Sequence, residues 1–568
     1  MAANLIVVLG YYVLIGRHLQ RKFNDHTLAA FFILAPAGLC ALSVACFAAT
    51  LAATLIASDS FFLYLIVPAA LLPFCLSEIK AGAKARQTPF RTTEAAGLLL
   101  SIFCLYPILL GCYQGAINPS LDHDALQYIG YSQDILKALP DWNLGANWQA
   151  ASNFKIPHSN LYPSVLVWAS LVSGPSDILT DAHIKIIPSL YTLALFASVA
   201  GYGAHSAKKL GLAIGILLIW AVPSLEYSIT SLSIDGFYLL PLTTVFFMLR
   251  NRIFSYQLAC LLCFLLLAHT LGAIYAAFFY SYYLFSTCSK GMFANRTLLF
   301  TSSTLLISLI PMILAAAWNQ DAGFHYKYYS DPLISSELIH IGAKWSEDVN
   351  FIEWISIVFE QYAVLVAGLI GFLCINLIAN RRISSRITWF YILFITVLYC
   401  LTLRPETELL GKAFQGNFRY SLGLKVLAVL CLFDLIQKRN FKFMVGLFCF
   451  ACCYYFYEHG MYDYEKYFYQ PSEAEIVKSI IPVCDGLANQ QGLSIITNDI
   501  RINRICGTDY AFIFSENGLT NLRDCKDQTC LFLSRNESAF SNSLFMRGAQ
   551  PFEVQPNKYS LTAVILSN

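Results

Sequence analysis

A chain of 568 residues that is 57% hydrophobic, 15% aromatic and only 13% charged is too apolar and too poor in charge for an ordinary water-soluble protein. A formal net charge of +2 gives no general attraction for nucleic acid, so the information lies in where Lys and Arg fall. The composition predicts an α-helical polytopic membrane protein.

Apolar runs recur at about residues 2–16, 33–57, 60–77, 95–114, 184–203, 210–225, 236–249, 255–269, 270–288, 297–316, 362–380, 387–402, 420–437 and 441–457. They predict about 12–14 transmembrane helices, several shorter than the roughly 20 residues of a perpendicular span. The block at 255–288 reads either as one bent helix or as a tight pair. The first run lacks a basic leader and is followed by Arg17, Arg21 and Lys22, which argues against a cleaved signal peptide. The span interiors read as free of charge, unlike those of many transporters.

Short cytoplasmic loops are enriched in Lys and Arg. Arg17, Arg21 and Lys22; Lys80, Lys84 and Arg86; Lys208 and Lys209; Arg250 and Arg252; Lys290 and Arg296; Arg381, Arg382 and Arg386; and Lys438, Arg439 and Lys442 then share one side. Both termini fall outside, together with the longer segments 115–183, 317–361 and 403–419 and the tail from residue 458.

The first long outer loop reads Ser120-Leu-Asp122-His123-Asp124-Ala-Leu-Gln-Tyr128. Apolar residues at 125, 126, 129, 136 and 139 predict a helix with Asp122 at its N-cap and Asp124 in its first turn. Capping alone accounts for acidic residues there. Paired carboxylates at a membrane surface are also suited to general-base chemistry. The loop continues through Trp142, Trp148, Lys155, His158 and Tyr162-Pro163 to an apolar stretch at 165–172 that is too short to span. That stretch is expected to lie in the outer interface.

Other polar residues border the spans. Asp235 opens one after an outer turn, where it caps a helix or serves a site. Lys327 sits in the aromatic run Phe324-His-Tyr-Lys-Tyr-Tyr329, which forms an interfacial belt or stacks on a saccharide. His269 falls in the hairpin Ala268-His-Thr-Leu-Gly272. Arg404, Lys412 and Arg419 lie on the outer side against the positive-inside bias; Arg419, followed by Tyr420, either snorkels or meets phosphate.

The tail changes character. Leu493-Ser-Ile-Ile-Thr497, Ala511-Phe-Ile-Phe514 and Cys530-Leu-Phe-Leu533, separated by Asn, Asp and Gly turns, predict strands of a small extracytoplasmic α/β domain. Of the 18 Cys, those in the apolar spans act as small hydrophobes, whereas Cys484, Cys506, Cys525 and Cys530 lie in the tail. Two disulfides in an oxidising compartment, with three possible pairings, fit better than a zinc site, whose ligand spacing is not matched. Asn536-Glu-Ser538 matches a glycosylation acceptor. No P-loop, dinucleotide-binding glycine motif, H-E-x-x-H or G-x-S-x-G is present, which removes support for ATP-driven transport, redox chemistry and serine hydrolysis.

A span, an acidic pair at the start of an outer helix, an interfacial helix and many further spans resemble the GT-C glycosyltransferases, in the branch of protein mannosyltransferase-like and aminoarabinose transferase-like enzymes. Their acidic motif of the D-x-D, E-D or D-E kind is matched by Asp122 and Asp124. The resemblance covers residues 95–457. It departs from the family in three extra spans over 1–94 and in the tail domain over 458–568. It implies an integral protein of the cytoplasmic membrane whose active site and tail face the periplasm or exterior. The activity implied is transfer of a sugar from a polyprenyl-phosphate donor to a glycan, lipid or protein acceptor in cell-envelope assembly.

In that reading Asp122 is the base, and Asp124 orients the acceptor or helps hold Mg or Mn; the reverse assignment stays open, as does the need for a metal. His123 either supports the pair or faces solvent. His158, Tyr162, Asp235, Lys327, Arg404, Arg419 and Tyr420 are the candidate substrate contacts. An O-antigen polymerase or ligase, or a flippase for lipid-linked saccharide, is the alternative.

Overall fold

The computed structural model describes residues 2–55, 64–82, 128, 132, 135–136, 161–173, 182–207, 234–253, 255–288, 296–321, 386–387, 389–391, 393, 422–436, 493–497, 511–512, 529–535, 550–552 and 561–566. These residues are mostly helical. In chain order the helices are α1 (Ala2–Phe23), α2 (Leu28–Leu34), α3 (Pro36–Leu55), α4 (Ile66–Ala69), α5 (Leu72–Gly82), α6 (Leu161–Ser173), α7 (Ala182–Ala207), α8 (Asp235–Tyr238), α9 (Leu242–Arg250), α10 (Tyr256–Ala268), α11 (Thr270–Cys288), α12 (Arg296–Asp321) and α13 (Leu422–Ile436). A further helical stretch covers the described residues of 386–393.

Proline punctuates this bundle. The run expected over 33–57 begins earlier, at Leu28, and is divided at Ala35 by Pro36, the first residue of α3. The run expected over 60–77 is divided between α4 and α5, with Pro68 the third residue of α4 and Pro73 the second residue of α5. Pro241 separates α8 from α9. The 255–288 block is a pair: His269 is extended (φ −165°, ψ 153°) and α11 starts at the next residue.

Two helices among the described residues are long and apolar enough to cross a bilayer, Leu28–Thr50 and Ile186–Ser206; shorter apolar helices accompany them. α7 is the hub, packed against α2, α8, α9, α13 and α3. Its contact with α2 depends on Gly201, because a Cβ there would lie 2.9 Å from the Ala29 carbonyl oxygen and from Phe32 Cβ. Small residues let apolar helices approach this closely, and buried hydroxyls then join them. The Ser43 and Tyr191 hydroxyls lie 2.8 Å apart, Tyr11 donates to the Val67 carbonyl at 2.6 Å, and Thr244 donates to the Ile33 carbonyl at 2.5 Å.

α6 differs from its expected role. Leu161, Tyr162, Val165, Leu166, Val167, Trp168 and Ala169 are all buried, and the helix packs on α3, α1, α7 and α10. An interfacial helix keeps one polar face in water. This one is enclosed on every side, as befits a helix apolar all round.

The ends of α1 and α9 close in the same way. Asn24 (φ 54°) and Arg252 (φ 56°) take left-handed conformations, and the amides of Asp25 and Ile253 donate back to the carbonyls of Gln20 and Met248 at 3.0 and 2.8 Å. Asp25 then supports the next helix: the Thr27 hydroxyl and amide donate to its Oδ1 at 2.8 and 3.1 Å, while Thr27 Oγ1 caps α2 by accepting from Ala30. His205 Nε2, at the end of α7, lies 3.0 Å from Asp25 Oδ2. Partial burial pushes the Asp25 carboxyl up, but the hydrogen bonds from Thr27 and His205 outweigh it and hold the carboxyl below its ordinary value.

A depressed carboxylate stabilises the fold above its unfolded value, about 3.9, and that contribution is lost as pH falls through the lower folded value. Asp25→Ala is therefore expected to cost about 1–2 kcal/mol near pH 7. The gap between variant and parent, followed by denaturation at stepped pH, should close as the medium is taken below about pH 4. A gap independent of pH would show that the carboxylate charge is not what stabilises this turn.

The described strands are β1 (Leu493–Thr497), β2 (Ala511–Phe512), β3 (Thr529–Arg535), β4 (Gln550–Phe552) and β5 (Leu561–Leu566), in the sheet order β2-β1-β3-β5-β4. β1 runs parallel to both β2 and β3, and β5 runs antiparallel to both β3 and β4. The sheet is therefore mixed, with both parallel and antiparallel neighbours. Cys530 is the second residue of β3, in register with Ser494 and Leu566. Cys484, Cys506 and Cys525 lie outside the described residues, and the disulfide expectation with them.

Candidate functional site

Asp122, His123, Asp124, His158, Lys327, Arg404, Arg419 and Tyr420 lie outside the described residues, and so does the metal expectation at the Asp pair. The structure does describe the elements next to several of them. Tyr128, Ser132 and Ile135 are helical and buried, at the i, i+4, i+7 spacing of one helix face. The apolar residues expected on one helix face are 125, 126, 129, 136 and 139, of which only Leu136 is described. Leu136 is partly buried and packs against the same core, beside Tyr128, Ser132 and Ile135.

Ser132 is accommodated there by two acceptors. Its hydroxyl lies 2.9 Å from the Tyr128 carbonyl and 3.3 Å from the Pro163 carbonyl in the first turn of α6. Tyr128 packs edge-on against Tyr162, with ring centroids 5.3 Å apart. Tyr162 in turn meets Phe237 of α8 at 5.1 Å, and Phe237 meets Tyr191 and Phe264, each at 5.2 Å. Tyr162 is 1% exposed, and its ring joins Tyr128 to Phe237 of α8.

Asp235 is the first residue of α8, and the next residue explains why the chain can pass here. A Cβ on Gly236 would lie 2.9 Å from the Thr192 Cα and Cβ atoms in α7. Gly236→Val is expected to push α8 off α7 and to cost about 1–3 kcal/mol from overpacking. Thermal denaturation checks this, and a neutral effect would mean that α8 is not held against α7. Three residues past Asp235, Tyr238 stacks on the 5% exposed ring of His269, with centroids 4.5 Å apart and planes 16° from parallel. His269 is therefore a packed, ring-stacked residue at the hairpin.

The start of α13 reaches the same end of the bundle. Gly423 sits against the ring of Tyr275, less than two turns along α11 from His269, and Tyr391 donates to the Leu424 carbonyl at 2.5 Å. One end therefore gathers Tyr128, Tyr162, Asp235, Tyr238, His269 and the first turn of α13.

The opposite end collects cations. Arg21 reaches the Ser77 carbonyl and hydroxyl of α5 at 3.5 and 3.4 Å. His205 packs on Phe247, and Arg250 at the end of α9 forms an ion pair with Asp434 of α13. Asp434 is 2% exposed. It lies in the last turn of α13 rather than at the middle of the apolar stretch. A lone carboxylate in the apolar stretch 422–436 signals a partner, and Arg250 is that partner. Among the described residues no group of three or more His, Cys, Asp or Glu is placed to hold a metal ion.

No family model and no curated protein sequence matches the chain.

Proposed function

We propose that the chain is an integral-membrane glycosyltransferase of GT-C type that moves a sugar from a polyprenyl-phosphate donor to an acceptor on the outer face of the cytoplasmic membrane. The observation that carries this reading is the gathering, at the end of the bundle away from the cations, of the elements that border its candidate residues. Chain connectivity supports it: the four residues from Asp124 to Tyr128 span at most about 14 Å, and the three from Arg419 to Leu422 about 11 Å. Asp124 and Arg419 are thus each within a few residues, along the chain, of a described element of this end.

The lipid-facing exterior has its own support. Large apolar side chains stand exposed on α1, α5 and α12, including Leu299 (71%), Leu306 (64%) and Ile307 (63%) on α12. Large apolar side chains exposed in this number are costly in water and suited to acyl chains. The convergence of Arg21, Lys22, Arg250, Arg252 and Arg386 toward one end agrees with a cytoplasmic side there.

In this reading Asp122 takes the acceptor proton as the glycosidic bond forms, and Asp124 orients the acceptor. Arg404 and Arg419 bind the departing phosphate, whose charge grows as the sugar leaves. The carboxylate pair has the oxygen ligands that suit Mg or Mn. The test is turnover of a labelled polyprenyl-phosphate sugar by the purified chain and by its Asp122→Asn and Asp124→Asn forms. Undiminished turnover in both variants would reject the assignment.

A further inference from the structure

The strands of the tail define a place in the chain that the proposed transfer reaction leaves unused. β1 pairs in parallel with β2 on one side and with β3 on the other, in the registers Thr497↔Phe512 and Thr497↔Leu533. The carboxyl ends of all three strands therefore lie side by side. β3 and β4 are each antiparallel to β5, so β4 runs parallel to β3 as well.

The strand order places a switch point between β1 and β3. From β1 the chain moves to β2 at one edge of the sheet, whereas from β3 it moves to β4 at the other edge. Crossovers between parallel strands of one sheet are right-handed, so two that step in opposite directions leave on opposite faces. Neighbouring parallel strands related in this way leave a crevice at their carboxyl ends, and open α/β sheets bind their ligands there.

The residues at this point carry the chemistry. β1 ends on Thr497 and continues in sequence into Asn498 and Asp499; β3 ends on Arg535, two residues beyond the partner of Thr497, and continues into Asn536 and Glu537. A phosphate site at a switch point uses glycine after the strand, so that the backbone can approach the anion. Neither strand is followed by glycine in its next four residues, and each is followed by a carboxylate that repels an anion. A bare divalent cation is opposed by Arg535 in the same set. A neutral ligand rich in hydroxyls suits all of them: carboxylates accept from hydroxyls, a guanidinium donates to them, and amides do both.

We propose that the juxtaposed carboxyl ends of β1 and β3, with Thr497, Asn498 and Asp499 on one side and Arg535, Asn536 and Glu537 on the other, bind a neutral saccharide. The site rests on the sheet topology and on no part of the transferase reading.

The experiment is retention of the fluorescently labelled full chain on an array of neutral mono- and oligosaccharides of glucose, galactose, mannose and N-acetylglucosamine. The chain is purified in a zwitterionic detergent, because a sugar headgroup would compete. The parent is expected to be retained by at least one of these saccharides. Asp499→Ala and Glu537→Ala should each raise the half-saturating protein concentration about tenfold, the effect of losing one hydrogen bond to a charged group. Asp499→Asn and Glu537→Gln keep the side-chain shape and one acceptor; they should lose less, which keeps a folding defect from imitating lost binding. No retention by any neutral saccharide, or retention unchanged in both alanine variants, overturns the proposal and leaves the transferase reading standing. Retention that survives both alanine substitutions but falls with Asp122→Asn overturns it in favour of an acceptor held at the acidic loop. Stronger retention by phosphorylated than by neutral sugars overturns the neutral class of ligand.

Discussion

Asp122→Asn is expected to lower turnover of a polyprenyl-phosphate sugar by about 10²–10⁴-fold, the usual contribution of a general base, with little change in thermal stability. Asparagine is chosen because it caps a helix as well as aspartate does but accepts no proton under these conditions. The substitution therefore separates the two roles that the sequence leaves superimposed at this residue. If Asp122 only caps, the variant keeps both its activity and its stability. If it is the base, activity alone collapses. Asp124→Asn distinguishes the division of labour: an orienting carboxylate should raise KM and lower kcat more modestly. If Asp124 instead shows the larger kcat loss, the two assignments exchange. Turnover of the parent should rise with pH until the base is ionised, and that rise should vanish from the residual activity of whichever variant lacks the base.

Periodicity and apolar length made α1, α7, α10, α11, α12 and α13 legible from the sequence, and β1, β2 and β3 were visible as short β-rich runs between turn residues. The boundaries were not legible where proline acts. Pro36, Pro68, Pro73 and Pro241 sit inside stretches whose hydropathy is continuous, so a hydropathy reading joins what the missing amides separate. β4 and β5 were missed for a different reason: Gln550–Phe552 is too short to display a period, and β5 is fixed by pairing with β3 rather than by its own pattern. The burial of α6 could have been found, since its apolar residues occupy every face. Its length, below that of a span, drew the reading toward the interface instead. At the candidate site the sequence supplied Tyr162, Asp235 and His269 individually. Their alignment through Tyr128, Phe237 and Tyr238 depends on contacts between segments far apart in the chain, which no local pattern encodes.

Arg250→Met is expected to destabilise the bundle by about 3–5 kcal/mol, because it leaves the Asp434 carboxylate buried without its counter-charge. The two members of the pair are not equivalent. Asp434 is 2% exposed and short, so it has no route to water once Arg250 is gone, whereas Arg250 is 19% exposed at a helix end and can extend its guanidinium outward. Asp434→Asn should therefore cost less than Arg250→Met. Replacing both residues, as Arg250→Met with Asp434→Leu, removes two desolvation penalties along with one attraction and should recover most of the loss. A double-mutant cycle read by thermal or chemical denaturation gives the coupling directly. Simple additivity would mean that the pair contributes nothing as a pair. Strong recovery in the double variant would instead identify the ion pair as a device that fixes how α9 meets α13, obtained at some cost in stability.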